Sequence, residues 1–420
     1  MKYSHLIVRV FAPFINLITL IVNIFIWRDS KIVIMGAWMG NKYADNPRYL
    51  FQYLNENKEK YSIKKIVWIT RDKDTYNKLD KKKYTVYMMH SLKGIYYHFK
   101  AGVYIVCNIN FPVKGYSGDL MGQLAGHAIK INTWHGVPLK AGKSTGENIK
   151  KEGIFGKLKF ELRKNALFLS VFTPGHWDKA YYLSTGKEST RRCSIFCGID
   201  EDKFIQAGYP RDCHINELFD EEFNVINTFG DYSKVFLYVP TFRERGESPY
   251  PLSDNRLIQF LNDNNILWIE KPHAAAKGSN SLNSDLKNVL YLDSTFDINV
   301  LLDRIDLLIT DYSSVCYDAM AYYKPVLYYS PDIEHYKKNE RGFLFDYISM
   351  VQGFLSQDSD SLLHQLELFI KDEAFVHSLK EKAEYERGRI LDKQGESCAD
   401  IIAAISEKTS VLKIVKVKAK

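Results

Sequence analysis

Residues 31–55, KIVIMGAWMGNKYADNPRYLFQYLN, decide the fold. Lys31-Ile32-Val33-Ile34-Met35 is an apolar run too short for a helix, so it reads as a strand buried on both faces. Gly36 to Asp45 is the loop that leaves it. Asn46-Pro47 then supplies an N-cap and a first-turn proline, which open a helix over Arg48 to Asn55. Strand, loop and helix make one βα unit. The alternation continues outward through Lys65–Ile69, Tyr84–Tyr87, Val103–Cys107 and Ala128–Asn132, each a short apolar run separated from the next by a helix-length segment. A second series runs through Val235–Val239, Ile266–Glu270, Val289–Leu292, Leu307–Thr310 and Val326–Tyr329. The pattern predicts an α/β protein with two doubly wound parallel sheets facing a cleft. The boundaries fall at 1–30 for an N-terminal helix, 31–215 and 216–395 for the two domains, and 396–420 for a C-terminal helix and basic tail.

The composition agrees with two cores. At 420 residues, 46% hydrophobic and 25% charged, the chain is neither disordered nor collagen-like and is too long for one ordinary domain. Its six cysteines form no CxxC pair and read as free thiols in a reducing compartment. The net charge of +7 suits an anionic substrate, a membrane surface or nucleic acid.

Leu6 to Trp27 is long enough, as a helix, to cross a bilayer core. However, Arg9, Asn16 and Asn23 recur every seven residues and draw one polar stripe along it. The stripe favours a helix lying in the membrane interface over a span, with a buried helix as the alternative. No small-residue cleavage site marks a removed leader.

In open α/β sheets ligands bind beyond the carboxyl ends of strands, so chemistry belongs to the residues that follow each strand. Trp134-His135-Gly136-Val137-Pro138-Leu139-Lys140 follows Ala128–Asn132. His135 there either moves a proton near neutral pH or is satisfied within its turn. Lys271-Pro272-His273 follows Ile266–Glu270 and puts a second histidine on the other side of the cleft. Thr310-Asp311-Tyr312-Ser313-Ser314 opens a helix over Val315 to Tyr323, where the serines can cap, bind phosphate, or do both. Pro240-Thr241-Phe242-Arg243 ends the Val235 strand with a guanidinium suited to phosphate or to a salt bridge with Glu244 or Glu247. Gly142-Lys143-Ser144 is not a P-loop, because Gly136 and Gly142 enclose five residues instead of four and Pro138 interrupts the amides. Neither histidine has a His or Cys at ligand spacing, so no bound metal is expected.

As an ordered set, Asp45-Asn46-Pro47-Arg48-Tyr49-Leu50-Phe51, the Trp134–Lys140 segment, Gly208-Tyr209-Pro210-Arg211, Pro240–Arg243, Lys271–His273, Thr310–Ser314 and Arg341-Gly342-Phe343-Leu344-Phe345-Asp346-Tyr347 resemble the CDP-glycerol glycerophosphotransferase family. These are the primases and polymerases of teichoic acids and related capsules. The resemblance implies GT-B architecture and transfer of glycerol phosphate from CDP-glycerol to a hydroxyl of a membrane-linked or polymeric acceptor, with release of CMP. It implies no cofactor and no nucleic acid partner, and a peripheral position on the cytoplasmic face of the membrane. His135 and His273 would be the catalytic pair. Arg243, Asp311, Ser313 and Ser314 would hold the donor phosphates, with Trp134, Gly136 and Lys271 supporting the loops. The same chemistry with CDP-ribitol, or a GT-B glycosyltransferase using a nucleotide sugar, is the alternative.

Overall fold

A computed structural model describes residues 18, 21–108, 118–141, 180–213, 217–241, 243, 249–271, 286–293, 295–340, 342–393 and 397–415. Two sheets form, and every strand pairing in them is parallel. The first comprises β1 (Asp29–Met35), β2 (Lys65–Thr70), β3 (Val86–Met88), β4 (Ala101–Val106), β5 (Ile129–Asn132), β6 (Ala180–Ser184) and β7 (Phe204–Gln206), in the order β3-β2-β1-β4-β5-β6-β7. The second comprises β8 (Lys234–Val239), β9 (Ile266–Glu270), β10 (Val289–Tyr291), β11 (Leu307–Thr310), β12 (Val326–Tyr329) and β13 (Leu355–Ser356), in the order β10-β9-β8-β11-β12-β13.

Both sheets therefore carry the 3-2-1-4-5 strand order of a dinucleotide-binding fold, with a switch point beside the first strand of each. Ile32 to Met35 are all buried, as a central parallel strand covered on both faces requires. The Asp45–Glu56 helix lays Leu50, Phe51 and Leu54 on that sheet, and Phe51 and Tyr43 meet the Trp68 ring edge-on at 5.3 and 4.7 Å. The helix begins at Asp45, and the side chain of Asn46 does not cap it. Asn46 instead donates its side-chain amide to the carbonyls of Thr133 and Trp134. β6, β7 and β13 go beyond the sequence pattern, and β7 and β13 are edge strands of two or three residues.

The chain returns to the first domain at its C-terminal end. After the Glu373–Ile390 helix, the Lys393 amide donates to the Thr185 carbonyl at 3.0 Å and Thr185 Oγ1 donates to the Ile390 carbonyl at 3.0 Å. The Cys398–Thr409 helix packs near β7, and the Val415 and Ser62 amides reach the Lys60 and Lys413 carbonyls. All six cysteines are free.

Near the N-terminus, Asn23 is buried and its Oδ1 accepts from Arg28 Nη2 at 2.6 Å. The Arg28 guanidinium also donates to the carbonyls of His98, Ala101, Leu124 and Gly126. Polar groups thus face the protein while Ile18, Ile21, Ile24, Phe25 and Trp27 face outward. Arg9 and Asn16, the rest of the expected stripe, lie outside the described residues, as do Lys416, Lys418 and Lys420 of the basic tail. No helix among the described residues is long and apolar enough to cross a membrane.

The two sheets are joined by a buried ion pair between Arg48 and Glu222, with Asp297 of the second domain 3.6 Å from the same guanidinium. Removing Glu222 leaves that charge poorly compensated in a desolvated place. Glu222→Ala is therefore expected to destabilise the protein by about 3 kcal/mol, read as a lowered urea midpoint. An unchanged midpoint would show that Asp297 alone suffices.

Candidate active site

The carboxyl ends of both sheets converge on one cavity of about 380 Å³, lined from the first domain by Trp38, Lys42, Asp45 and Trp134 to Lys140, and from the second by Val239 to Thr241, Lys271, Asp297, Ser313 and Ser314. Arg211 and Asp318 close one side.

The loop after β5 is held in an unusual shape by its neighbours. Trp134 has φ +61, Asp45 +63 and Trp38 +48, all in the left-handed region that costs non-glycine residues on the order of 1–3 kcal/mol each. Asn46 Nδ2 donates to the Thr133 and Trp134 carbonyls at 3.0 and 2.9 Å, fixing the start of the loop. Gly136 has φ +146, and a Cβ there would lie 2.6 Å from Ser314 Oγ. Its lack of a side chain is what lets the histidine loop of one domain touch the serine segment of the other. The loop's far end is zipped to the second domain by Ala141 N to Gly342 O at 3.1 Å and Leu344 N to Leu139 O at 2.9 Å.

His135 sits between aromatic rings, 5.5 Å from Trp134 and 5.6 Å from Trp38. Its side chain is exposed on the cavity side, while the surrounding chain desolvates the ring from behind. Its Nδ1 lies 3.2 Å from the Cys107 carbonyl. A carbonyl only accepts, so Nδ1 carries the proton and Nε2 is left as the basic nitrogen. Burial pushes the imidazole below its ordinary value, helped by the charges of Arg211 and Lys140 and opposed by Asp45 and the carbonyl bond. The ring is thereby biased toward its neutral form, with Nε2 placed to accept a proton.

Arg211 ties the two domains together behind this loop. Its Nη1 meets Asp45 Oδ1 at 2.7 Å, its Nη2 meets Asp318 Oδ1, and its amide donates to Asn46 Oδ1 at 3.1 Å. The Asp45 amide in turn donates to Asp297 Oδ2 at 3.1 Å.

In the second domain Ser313 and Ser314 face the cavity. Ser314 makes no side-chain cap, and Ser313 Oγ accepts from the Val315 amide at a long 3.4 Å. Their helix spans Val315–Ala321, shorter than expected. Arg243 and Asp311 are not among the residues lining the cavity. The Arg243 guanidinium pairs with Asp311 Oδ2 at 2.8 Å and with Asp332 at 2.6 and 3.0 Å, and donates to the Thr241 carbonyl at 2.6 Å. It also lies over the Tyr312 and Tyr336 rings. Asp311 Oδ1 accepts from the Thr241 and Tyr312 amides. Both side chains therefore brace the wall that carries the serines. Phe242, Pro272 and His273 lie outside the described residues, as does Gly142-Lys143-Ser144. Lys271, two residues before His273, lines the cavity.

Lys271 is pushed down to about 8, first by burial and then by the charge of Lys42, against the pull of Asp297, Asp45 and Asp293. Burial also lowers Lys42. Two ammonium groups, one from each domain, thus share the cavity, an arrangement that an anion relieves. The sequence reading missed Lys42, Trp38, Asp45 and Arg211 as parts of this site. Asp45 and Arg211 lay in quoted motifs, but nothing local showed that they meet. Among the described residues no group of three His, Cys, Asp or Glu is placed to hold a metal.

Two parallel sheets of dinucleotide-binding order, facing a shared cavity that carries two lysines and a histidine, are the arrangement of a GT-B protein. The chain belongs to the CDP-glycerol:poly(glycerophosphate) glycerophosphotransferase family, whose model matches residues 18–388. It is accordingly an enzyme that transfers glycerol phosphate. It is 29% identical over 391 residues to a teichoic acid poly(glycerol phosphate) polymerase of Bacillus spizizenii, covering 89% of this chain and 92% of that one. A Bacillus subtilis protein of the same description is 28% identical over 80% of this chain, but the match spans only 43% of that longer relative. The solved structure of the wall teichoic acid polymerase TagF superposes with a TM-score of 0.70 over 97% of each chain at 21% identity, a likeness of fold.

The Gly136–Ser314 contact predicts that Gly136→Ala separates the two loops. Turnover should fall at least tenfold while the melting temperature moves by a few degrees. Wild-type turnover in Gly136→Ala would show that the close approach is dispensable.

Proposed function

We propose that this protein extends a poly(glycerol phosphate) chain of the teichoic acid type, using CDP-glycerol as donor. The acceptor's terminal hydroxyl attacks the glycerol-bearing β-phosphorus, the bond from that phosphorus to the bridging oxygen breaks, and CMP departs with the electron pair. A hydroxyl is a poor nucleophile at neutral pH, so His135 Nε2 takes its proton as the new P–O bond forms, a role worth typically ~10²–10⁴-fold. The observation that carries this reading is the Nδ1 contact to the Cys107 carbonyl, which leaves Nε2 unprotonated in a cavity wall.

Lys42 and Lys271, with the Ser313 and Ser314 hydroxyls, supply the positive and donor groups that a diphosphate needs. Arg243 and Asp311 act one layer back, holding the serine segment in place. His273 follows Lys271 by two residues and is assigned, on the family resemblance, to the charge that develops on departing CMP.

The test is CMP release from CDP-glycerol, and in parallel from CDP-ribitol, with a poly(glycerol phosphate) acceptor. CDP-glycerol should be the better donor, and His135→Ala should lower kcat by ~10²–10⁴-fold with an unchanged melting temperature. The acid limb of kcat/KM should lie below about pH 6.5, because activity is lost only as pH falls through the lowered imidazole value. Full activity in His135→Ala, or a melting temperature that falls along with activity, would overturn the assignment.

The polymer is expected at a membrane, and the apolar face of the N-terminal segment offers the contact. Ile18, Ile21, Ile24, Phe25 and Trp27 are all exposed, Leu92 and Tyr96 of the Leu92–Lys100 helix are exposed as well, and Lys100 Nζ of that helix reaches the Trp27 carbonyl at 3.5 Å. Exposed apolar and aromatic groups rimmed by lysine suit an interface with anionic headgroups. Phe25→Glu with Trp27→Glu should reduce cosedimentation with phosphatidylglycerol vesicles at least tenfold and leave turnover of a soluble acceptor intact. Equal vesicle binding by this variant would place the contact elsewhere.

A further inference from the structure

Asp119 is buried at 1% exposure and takes no part in the chemistry described above. Its two oxygens serve two different segments. Oδ2 accepts from the amides of Cys107 at 2.9 Å and Asn108 at 2.8 Å, where the chain leaves β4. Oδ1 accepts from the Met39 amide at 2.6 Å, in the turn that follows β1.

Each of those segments forms one side of the His135 ring. Cys107 supplies the carbonyl that meets Nδ1, so the orientation of its peptide group decides where the ring's proton sits. The Met39 turn carries Trp38, whose ring lies 5.6 Å from that of His135 at 55°. Trp38 and Met39 have φ +48 and +61, two consecutive left-handed residues that need an outside partner to persist. A carboxylate accepting three backbone N–H bonds is such a partner, and charge-assisted bonds of this kind are about twice as strong as neutral ones.

Asp119 is itself fixed from behind. His98 Nδ1 lies 2.7 Å from the Gly94 carbonyl, which assigns the proton to Nδ1, and His98 Nε2 then accepts from the Met121 amide at 3.1 Å. The Leu92–Lys100 helix, through His98, thereby sets the position of the segment bearing Asp119.

We infer that Asp119 is a positioning residue for His135, fixing its tautomer through the Cys107 peptide and its ring plane through the Trp38–Met39 turn. This rests on the reading of His135 as the base, but the ring's tautomer can be followed independently of activity. In Asp119→Asn the amide NH₂ must face at least one of the N–H donors, so either the Cys107 or the Met39 contact is lost.

The experiment compares wild type, Asp119→Asn, His135→Ala and the double variant, with imidazole nitrogen NMR of His135 in the first two. Asp119→Asn should lower kcat ~10–100-fold with KM for CDP-glycerol within about threefold, and should convert the single Nδ1–H signature into a tautomer mixture. In the His135→Ala background the same change should cost no further turnover, because its effect passes through the missing ring. A fixed Nδ1–H tautomer in Asp119→Asn, or a loss that repeats undiminished in the double variant, overturns the inference. Full activity in His135→Ala would instead remove the base assignment, while the tautomer measurement still decides the role of Asp119. If Asp119→Asn does not fold, Asp119→Ser, which retains one acceptor, is read by the same criteria.

Discussion

The architecture turns on the burial of Arg211 between two carboxylates that belong to different domains. Its guanidinium joins Asp45, at the start of the first helix after β1, to Asp318, in the helix after β11. A charge so desolvated is tolerable only with both partners in place, since losing one from such a pair typically costs about 3–5 kcal/mol. Arg211 is thereby one tie that fixes the relative placement of the two sheets, and Arg48, paired with Glu222 and near Asp297, is a second. A cavity lined by groups from both domains needs such registration, because misplacement of reacting groups by an ångström already costs rate.

Around that join, three of the ten described non-glycine residues with left-handed backbone border the cavity. Trp38, Asp45 and Trp134 all adopt left-handed backbone, and all line the cavity. Each is stabilised by a buried polar partner: Asp119 holds the Trp38–Met39 turn, Arg211 holds Asp45, and Asn46 holds the Trp134 carbonyl. His135 is set by this frame and not by its own turn. The wall opposite is braced in the same manner, with Arg243 saturated by Asp311, Asp332 and the Thr241 carbonyl. By residue type, an arginine after a strand end suits a phosphate or a salt bridge, and the sequence leaves both open for Arg243. Only its partners distinguish them.

The N-terminal segment shows the opposite of ordinary surface logic. Its polar Asn23 is turned inward to Arg28, which itself caps four carbonyls, and its apolar side chains are left outside. The periodicity of Arg9, Asn16 and Asn23 indicated an amphipathic helix, but periodicity cannot say which face meets protein. The burial of Asn23 against Arg28 shows that here the polar face meets protein.

Ten strands, their grouping into two parallel sheets and the strand-end loops bearing His135 and Ser313-Ser314 were legible because short apolar runs and the residues that end them are local signals. β6, β7 and β13 were not, since runs such as Phe204-Ile205-Gln206 and Leu355-Ser356 are too brief to stand out and are made strands by their neighbours' hydrogen bonds. The pairing of Arg211 with residues 166 and 107 positions away, the meeting of Lys42 with Lys271, and the reach of Asp119 to both walls of His135 had no local trace. The sequence by itself determined the elements, their order and the chemical types presented at strand ends, because propensity and periodicity act over a few residues. Which of those groups face the cavity, which brace it from behind, and which nitrogen of His135 holds the proton were decided only by the tertiary structure, since burial and hydrogen-bond partners are set by chain segments far apart.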